Sequence, residues 1–341
     1  MSPEEIVSRT RSGVGLFDMS HRGLLEICGE DRVRWLDGMI SGDVQALESA
    51  APGAGCYATL LTNRGAIIAD LHVARFENAY LAESLRSELP RILETLERYV
   101  IADDVTLTDR SAEFATLGLE GPEAARVLEK ATNGQVAELG EENWAESTIG
   151  GREVLVGGFG FSGERGFQIR MKPQDRGEIE QSLGVAAGGD TLVHGDFEAL
   201  EIMRIEAGLP ALGRELDEEV LPPEARLERA ISTSKGCYVG QEIVARLRAR
   251  GQVNHLLVGL RIESSDLPEV GLELRAAGRV TGELTSVALS PTEGPIALGY
   301  VRREHAEAGT EIEFDGGRAS IATLPFVAGL AAGDTATSGV T

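Results

Sequence analysis

Lys235-Gly236-Cys237-Tyr238-Val239-Gly240-Gln241-Glu242 is the stretch of this 341-residue chain whose residue types and spacing come nearest to a chemical site. Two glycines bracket a Cys-Tyr pair, an arrangement suited to a turn that brings backbone close to a ligand and presents the sulfur. Gly240 leads into a short helix with Gln241 and Glu242 in its first turn, where an acid complements the helix dipole. Arg246, Arg248 and Arg250 follow within five residues. Positive charge from Lys235 and these arginines would favour the thiolate of Cys237 and so make it a nucleophile. By residue type alone, however, a single cysteine is more often a small buried hydrophobe.

The elements around this stretch alternate between helix and strand. Residues 29–39 place Val33, Leu36 and Met39 at helical spacing, and residues 57–76 read as two strands about the turn Thr62-Asn63-Arg64-Gly65. Ser87–Val100 is an amphipathic helix carrying Leu89, Ile92, Leu93, Leu96 and Val100 on one stripe, with Ser87 as its cap. Helices are also expected after Pro122 and over 196–207, and strands flank the Gly-rich turn 157–166. Beyond Gly251 the pattern changes to short β-like runs separated by Gly, Pro and Asp, which predicts a small barrel. The fold class is therefore α+β ending in a small C-terminal β-barrel. Its expected divisions are 1–245 (two interwoven α+β lobes), 250–328 (barrel) and 329–341 (flexible tail).

Composition narrows the partners. With 32 Lys+Arg against 55 Asp+Glu the formal charge is −23, a field that repels phosphate backbones and argues against direct nucleic-acid binding. Only three of the basic residues are lysine, and Lys235 is one of them. The N-terminus has no apolar leader and no run reaches about 18 apolar residues, so neither secretion nor a membrane span is expected and the cytoplasm is the default. Three well-separated cysteines and five scattered histidines show no metal-ligand spacing.

The octet 235–242, K-G-C-Y-x-G-Q-E, resembles the signature of the YgfZ-type folate-binding proteins, members of the superfamily of the glycine-cleavage T-protein, an aminomethyltransferase. Val14–Gly23 (VGLFDMSHRG), Gly65–Leu71 (GAIIADL), Gly160–Phe167 (GFSGERGF) and segments of the β region, Gly282–Ser286 and Ile296–Tyr300, resemble the same superfamily across roughly residues 8–328. The resemblance implies a three-lobed ring around a central channel that holds tetrahydrofolate or a one-carbon derivative.

It also implies roles. Asp70 matches the carboxylate that aminomethyltransferases use at the folate nitrogens, where it would stabilise positive charge and steer a proton. Asp70 and Glu164 would accept from the pterin edge, and Phe161 and Tyr238 would wall the ring. Lys235, Arg246 and Arg248 would meet the anionic tail. Gly236, Gly240, Gln241 and Glu242 complete the folate-contacting motif. Several positions depart from the superfamily pattern: Ala69 for a first aspartate, Phe161 for tyrosine, Gln168 for a pterin-binding glutamate, Leu200 for arginine and Ser84 for asparagine. These losses beside the Cys motif direct the main expectation to a YgfZ-like protein. It would support iron–sulfur cluster assembly or repair, and indirectly tRNA modification, with Cys237 as functional thiol and iron–sulfur proteins as partners. The alternative is a folate-dependent aminomethyltransferase or demethylase with Asp70 as catalytic carboxylate.

Overall fold

The chain passes twice between two β-sheets before it enters a barrel, and that double passage builds the centre of the molecule. The computed structural model describes residues 1–330 except 137, 190, 251, 252 and 265, with backbone only at 249 and 250. Residues 331–341 of the expected tail, the Gly251 turn and the Arg250 side chain thus lie outside the described residues.

Helix Pro3–Arg11 opens the chain. Ser2 caps it by accepting from the Glu5 N–H, Pro3 occupies its first turn, and Ile6 and Val7 are its buried apolar side. Strand Val14–Asp18 then joins a six-stranded sheet whose other strands are Leu192–Gly195, Ala115–Glu120, Gly166–Met171, Arg152–Gly157 and Trp144–Ile149. Only residues 19–21 separate it from strand Arg22–Cys28, which belongs to the second sheet with Gly55–Leu61, Ile67–Arg75, Tyr80–Leu85 and Thr106–Asp109. The chain returns to the first sheet at Ala115. Met19, His21 and Arg22 are therefore held at the crossing.

Strand Ile67–Arg75 is buried at every residue but the last. Its period of two sends Ile67, Ala69, Leu71 and Val73 to one face and Asp70 and His72 to the other. The apolar face joins a core with Trp35, Leu36, Leu60, Ile92 and Tyr238. Helix Leu89–Glu97 forms as the apolar stripe requires, but a 3-10 turn over Arg86–Glu88 precedes it and Ser87 makes no capping bond. Ser87 instead faces the central cavity.

The C-terminal strands close into a six-stranded barrel: His255–Ile262, Glu273–Ala276, Arg279–Ser290, Gly294–Arg302, Glu311–Phe314 and Gly317–Ala322. Helix Phe197–Ala207, capped by Asp196 and stopped by left-handed Gly208, packs between the barrel and helix Pro3–Arg11. The architecture is α+β with a terminal closed barrel. Among the described residues no helix is long and apolar enough to cross a membrane.

Candidate functional site

A cavity of about 380 Å³ lies where the crossing, the strand bearing Asp70, the Gly-rich loop and helix Phe197–Ala207 converge. Asp70 reaches it from the buried strand. Tyr57 stands diagonally across the hairpin, where Tyr57 pairs with His72 and Thr59 with Asp70. Its hydroxyl donates to Asp70 Oδ2 at 3.0 Å. Burial, then the adjacent Asp70 charge, pushes the Tyr57 phenol well above its ordinary value, so it remains a donor. The Ser84 hydroxyl donates to the Asp70 carbonyl at 2.9 Å. The carboxylate is thus fixed by one oxygen, while the other, Oδ1, is buried with no hydrogen-bond partner.

Arg22 adds a cation to the same cavity. Its Nε donates to Glu83 Oε1 at 2.8 Å, its Nη2 has no partner, and its guanidinium lies 4.5 Å from the Phe161 ring centroid. Burial lowers the Arg22 pKa, and Asp70 and Tyr57 oppose that shift. His21 packs edge-on against Phe197, and burial, then Arg22, pushes it down to about 4; it is neutral at neutral pH.

Leu209 lines both this cavity and a second one of about 240 Å³, whose lining includes His72, Glu142, Phe159, Glu164, Arg165 and Arg229. His72 stacks on Phe159 at 3.9 Å, meets Phe161 edge-on at 5.8 Å and shares a 2.7 Å hydrogen bond with Glu142 through Nδ1. Burial acts to raise the Glu142 carboxyl, but His72, Arg229 and Arg165 outweigh it and hold it below its ordinary value. Glu164, half-buried, accepts from Arg11 at 3.3 Å.

The Gly-rich loop that carries Phe161 and Glu164 closes on Glu120. The Phe161 N–H and the Ser162 hydroxyl donate to its carboxylate at 3.1 and 2.7 Å. A Cβ at Gly160 or Gly166 would collide with that carboxylate, which is why both are glycine. Burial raises Glu120 to about 7 against the pull of its hydrogen bonds and of Arg11.

The motif 235–242 lies elsewhere: none of Lys235, Gly236, Cys237, Tyr238, Gly240, Gln241, Glu242 or Arg246 lines either cavity. The reading of Lys235 as an anion-binding or thiolate-promoting cation is corrected by its bonds. Its buried ammonium donates to the carbonyls of Asp37, Ile40 and Gly42 at 2.6, 2.9 and 2.6 Å and pairs with Asp37 Oδ1 at 3.2 Å. Tyr238 is buried in the core under that ammonium, not against an open channel. Gly240 takes φ +82° and sits where a Cβ would press on the Thr62 carbonyl at 2.6 Å. Gln241 donates back to the Gly236 carbonyl, Arg246 pairs with Glu242 at the exposed helix surface, and Cys237 is exposed. The motif therefore clamps the segment Asp37–Gly42 and the hairpin turn between the strands of Tyr57 and Asp70.

Of the residues expected to contact folate, only Asp70 and Phe161 line the central cavity and only Glu164 the adjoining one. Leu200 lines the central cavity, whereas Gln168 is fully buried with neither side-chain atom partnered. Sequence reasoning overlooked Arg22, Tyr57, His72, Glu142 and Glu120. The period-two alternation of the hairpin was a signal for Tyr57 and His72, but their approach to Asp70 and Phe159 depends on register and on the second sheet. Among the described residues no group of three His, Cys, Asp or Glu is placed to hold a metal ion.

Two family patterns match the chain: the GCVT N-terminal domain over residues 3–235 and the glycine cleavage T-protein C-terminal barrel domain over 256–327. An aminomethyltransferase of Streptomyces coelicolor is 32% identical over 90% of this chain and 83% of its own. One of Geobacillus kaustophilus is 32% identical over 93% and 88%. The solved aminomethyltransferase T of the Bartonella henselae glycine cleavage system is 25% identical, with a TM-score of 0.84 over 96% of this chain and 90% of that one. These relatives overturn the expectation of a YgfZ-like iron–sulfur assembly factor with Cys237 as functional thiol and iron–sulfur partners; the likeness runs to aminomethyltransferases along nearly the whole chain. Fold, cavity and sequence agree, and the chain belongs to the glycine cleavage T-protein family.

Proposed function

We propose that this protein is a folate-dependent aminomethyltransferase in which Asp70 is the catalytic carboxylate. The family uses tetrahydrofolate. The observation that carries the reading is the half-satisfied Asp70 carboxylate: Oδ2 is held by Tyr57, and Oδ1 is buried and unpaired at the wall of the central cavity. A preorganised acceptor of this kind stabilises charge that develops on a folate nitrogen during one-carbon transfer and holds its proton. Phe161 offers the pterin an apolar face, and Arg229 at the adjoining cavity offers a guanidinium to the anionic tail. Phe161 and Leu200 stand at the cavity wall where the superfamily pattern has tyrosine and arginine, so folate is held here with one hydroxyl and one charged contact fewer.

The test is one-carbon transfer from an aminomethyl donor to tetrahydrofolate, with Asp70→Asn as the control. The variant is expected to lose about 10²–10⁴-fold in kcat while still binding tetrahydrofolate. Full activity in Asp70→Asn, or tetrahydrofolate binding by the parent chain without transfer, would overturn the proposal.

A further inference from the structure

A third cavity, of about 450 Å³, opens between the two sheets on the other side of Glu83 from the central site. Leu24, Phe76, Leu81, Phe114 and Leu155 give it an apolar side, and charged residues complete its lining. Three basic residues line it, Arg110, Lys172 and Arg170, of which Arg170 is the buried one, on strand Gly166–Met171. The Arg170 side chain is only 2% exposed and lies over the Trp144 indole at 4.5 Å. Its Nη2 contacts Glu83 Oε2, but Glu83 Oε1 already accepts from Arg22. Two buried guanidiniums therefore share one carboxylate. Arg22 has Asp70 as a second acidic neighbour, whereas Arg170 pairs with Glu83 alone among the described residues, and its Nη1 has no hydrogen-bond partner. A buried cation with unspent donors at the wall of such a cavity is costly unless a ligand completes it.

We propose that this cavity binds an apolar monocarboxylate, its carboxylate on Nη1 of Arg170 and its hydrocarbon body against the Leu and Phe walls. The volume suits a small organic ligand. The mouth selects against polyanions: Arg110 and Lys172 there are already paired with Glu26 and Glu153, and Glu146 adds an exposed negative charge. The ligand thus carries a single charge that must travel past the rim to Arg170. This site is independent of the folate reading, since it touches none of the residues assigned to transfer.

The full chain is titrated with 3-phenylpropionate, with its uncharged amide and with acetate, by calorimetry and by the emission of Trp144 beneath Arg170. Saturable binding of 3-phenylpropionate is expected, at least about tenfold tighter than the amide and than acetate. Arg170→Gln should remove the preference for acid over amide. Leu81→Trp, which fills the cavity from the opposite sheet, should abolish binding and decides the matter if Arg170→Gln does not fold. Absence of binding, equal affinity for acid and amide, acetate as tight as 3-phenylpropionate, or undiminished binding to Leu81→Trp would each overturn the proposal.

Discussion

Glu120 and His21 respond to pH in opposite senses, and both stand beside groups that line the central cavity. Burial raises Glu120 from 4.5 to about 7, so between those values the folded chain holds a proton that the unfolded chain has released. Stability from this residue is present below pH 4.5 and is lost as pH rises through 7. His21 is displaced the other way, from 6.5 to about 4, first by burial and then by Arg22. Its contribution is present above pH 6.5 and is lost as pH falls toward 4. The two slopes oppose each other wherever the windows overlap. Glu120→Gln keeps the acceptor for the Phe161 N–H but cannot ionise. Relative to the parent it is expected to gain nothing below pH 4.5 and up to about 3 kcal/mol above pH 7, read from urea denaturation at each pH. The same gain at both ends would show that Glu120 is not the titrating group.

The motif 235–242 acts as an element, through the segments it clamps. Lys235→Ala leaves three backbone carbonyls and the Asp37 carboxylate without their cation in a buried site. That is expected to cost about 2–4 kcal/mol in denaturant unfolding, whereas Cys237→Ala at the exposed tip should change stability by less than about 0.5 kcal/mol. Equal effects from the two variants would refute the clamp. What local pattern can and cannot carry is visible in this part of the chain. The hairpin 57–76 was legible because its alternation and its Asn-Arg-Gly turn are local signals. The helix from Leu89 was legible for the same reason, but Ser87 was misassigned as its cap because a serine before an apolar stripe looks the same when a 3-10 turn intervenes. Asp70 was identified by resemblance alone. Its pairing with Tyr57 is a property of register, and the burial of Lys235 a property of packing between segments 198 residues apart or nearly so.

At the scale of the whole molecule, the barrel is fastened to the two-sheet region by buried carboxylates: Glu206 accepts from Ser290 at 2.6 Å, and Glu215 gathers the larger network. A β-bulge between Leu284 and Ser286 turns two successive hydroxyls inward, and Thr285 and Ser286 donate to Glu215 Oε1 at 2.8 and 2.5 Å. Arg204, from the helix that walls the central cavity, donates to Glu215 Oε2 at 3.0 Å and to Ser286 at 2.9 Å. The Tyr300 hydroxyl donates to the Glu215 carbonyl at 2.8 Å, so three barrel hydroxyls hold the same residue. Burial acts to lower the Arg204 pKa, but Glu215 and Glu201 outweigh it, and the guanidinium remains a cation that needs its partners. Glu215→Ala leaves that cation with Glu201 alone and strips two hydroxyls of their acceptor, a change expected to cost about 3–5 kcal/mol. Because the loss is concentrated at the junction, calorimetry should resolve the unfolding of Glu215→Ala into two transitions, the lower one belonging to the barrel. Glu215→Gln, which retains an acceptor for the hydroxyls but not the charge, should fall between the two. The segment 209–214 that precedes Glu215 also lines the central cavity, so tetrahydrofolate affinity is expected to weaken along with docking. A Glu215→Ala chain that melts in one transition at the parent's temperature would show that the barrel is held by its apolar contacts with helix Phe197–Ala207 and that the charge network contributes nothing to the junction.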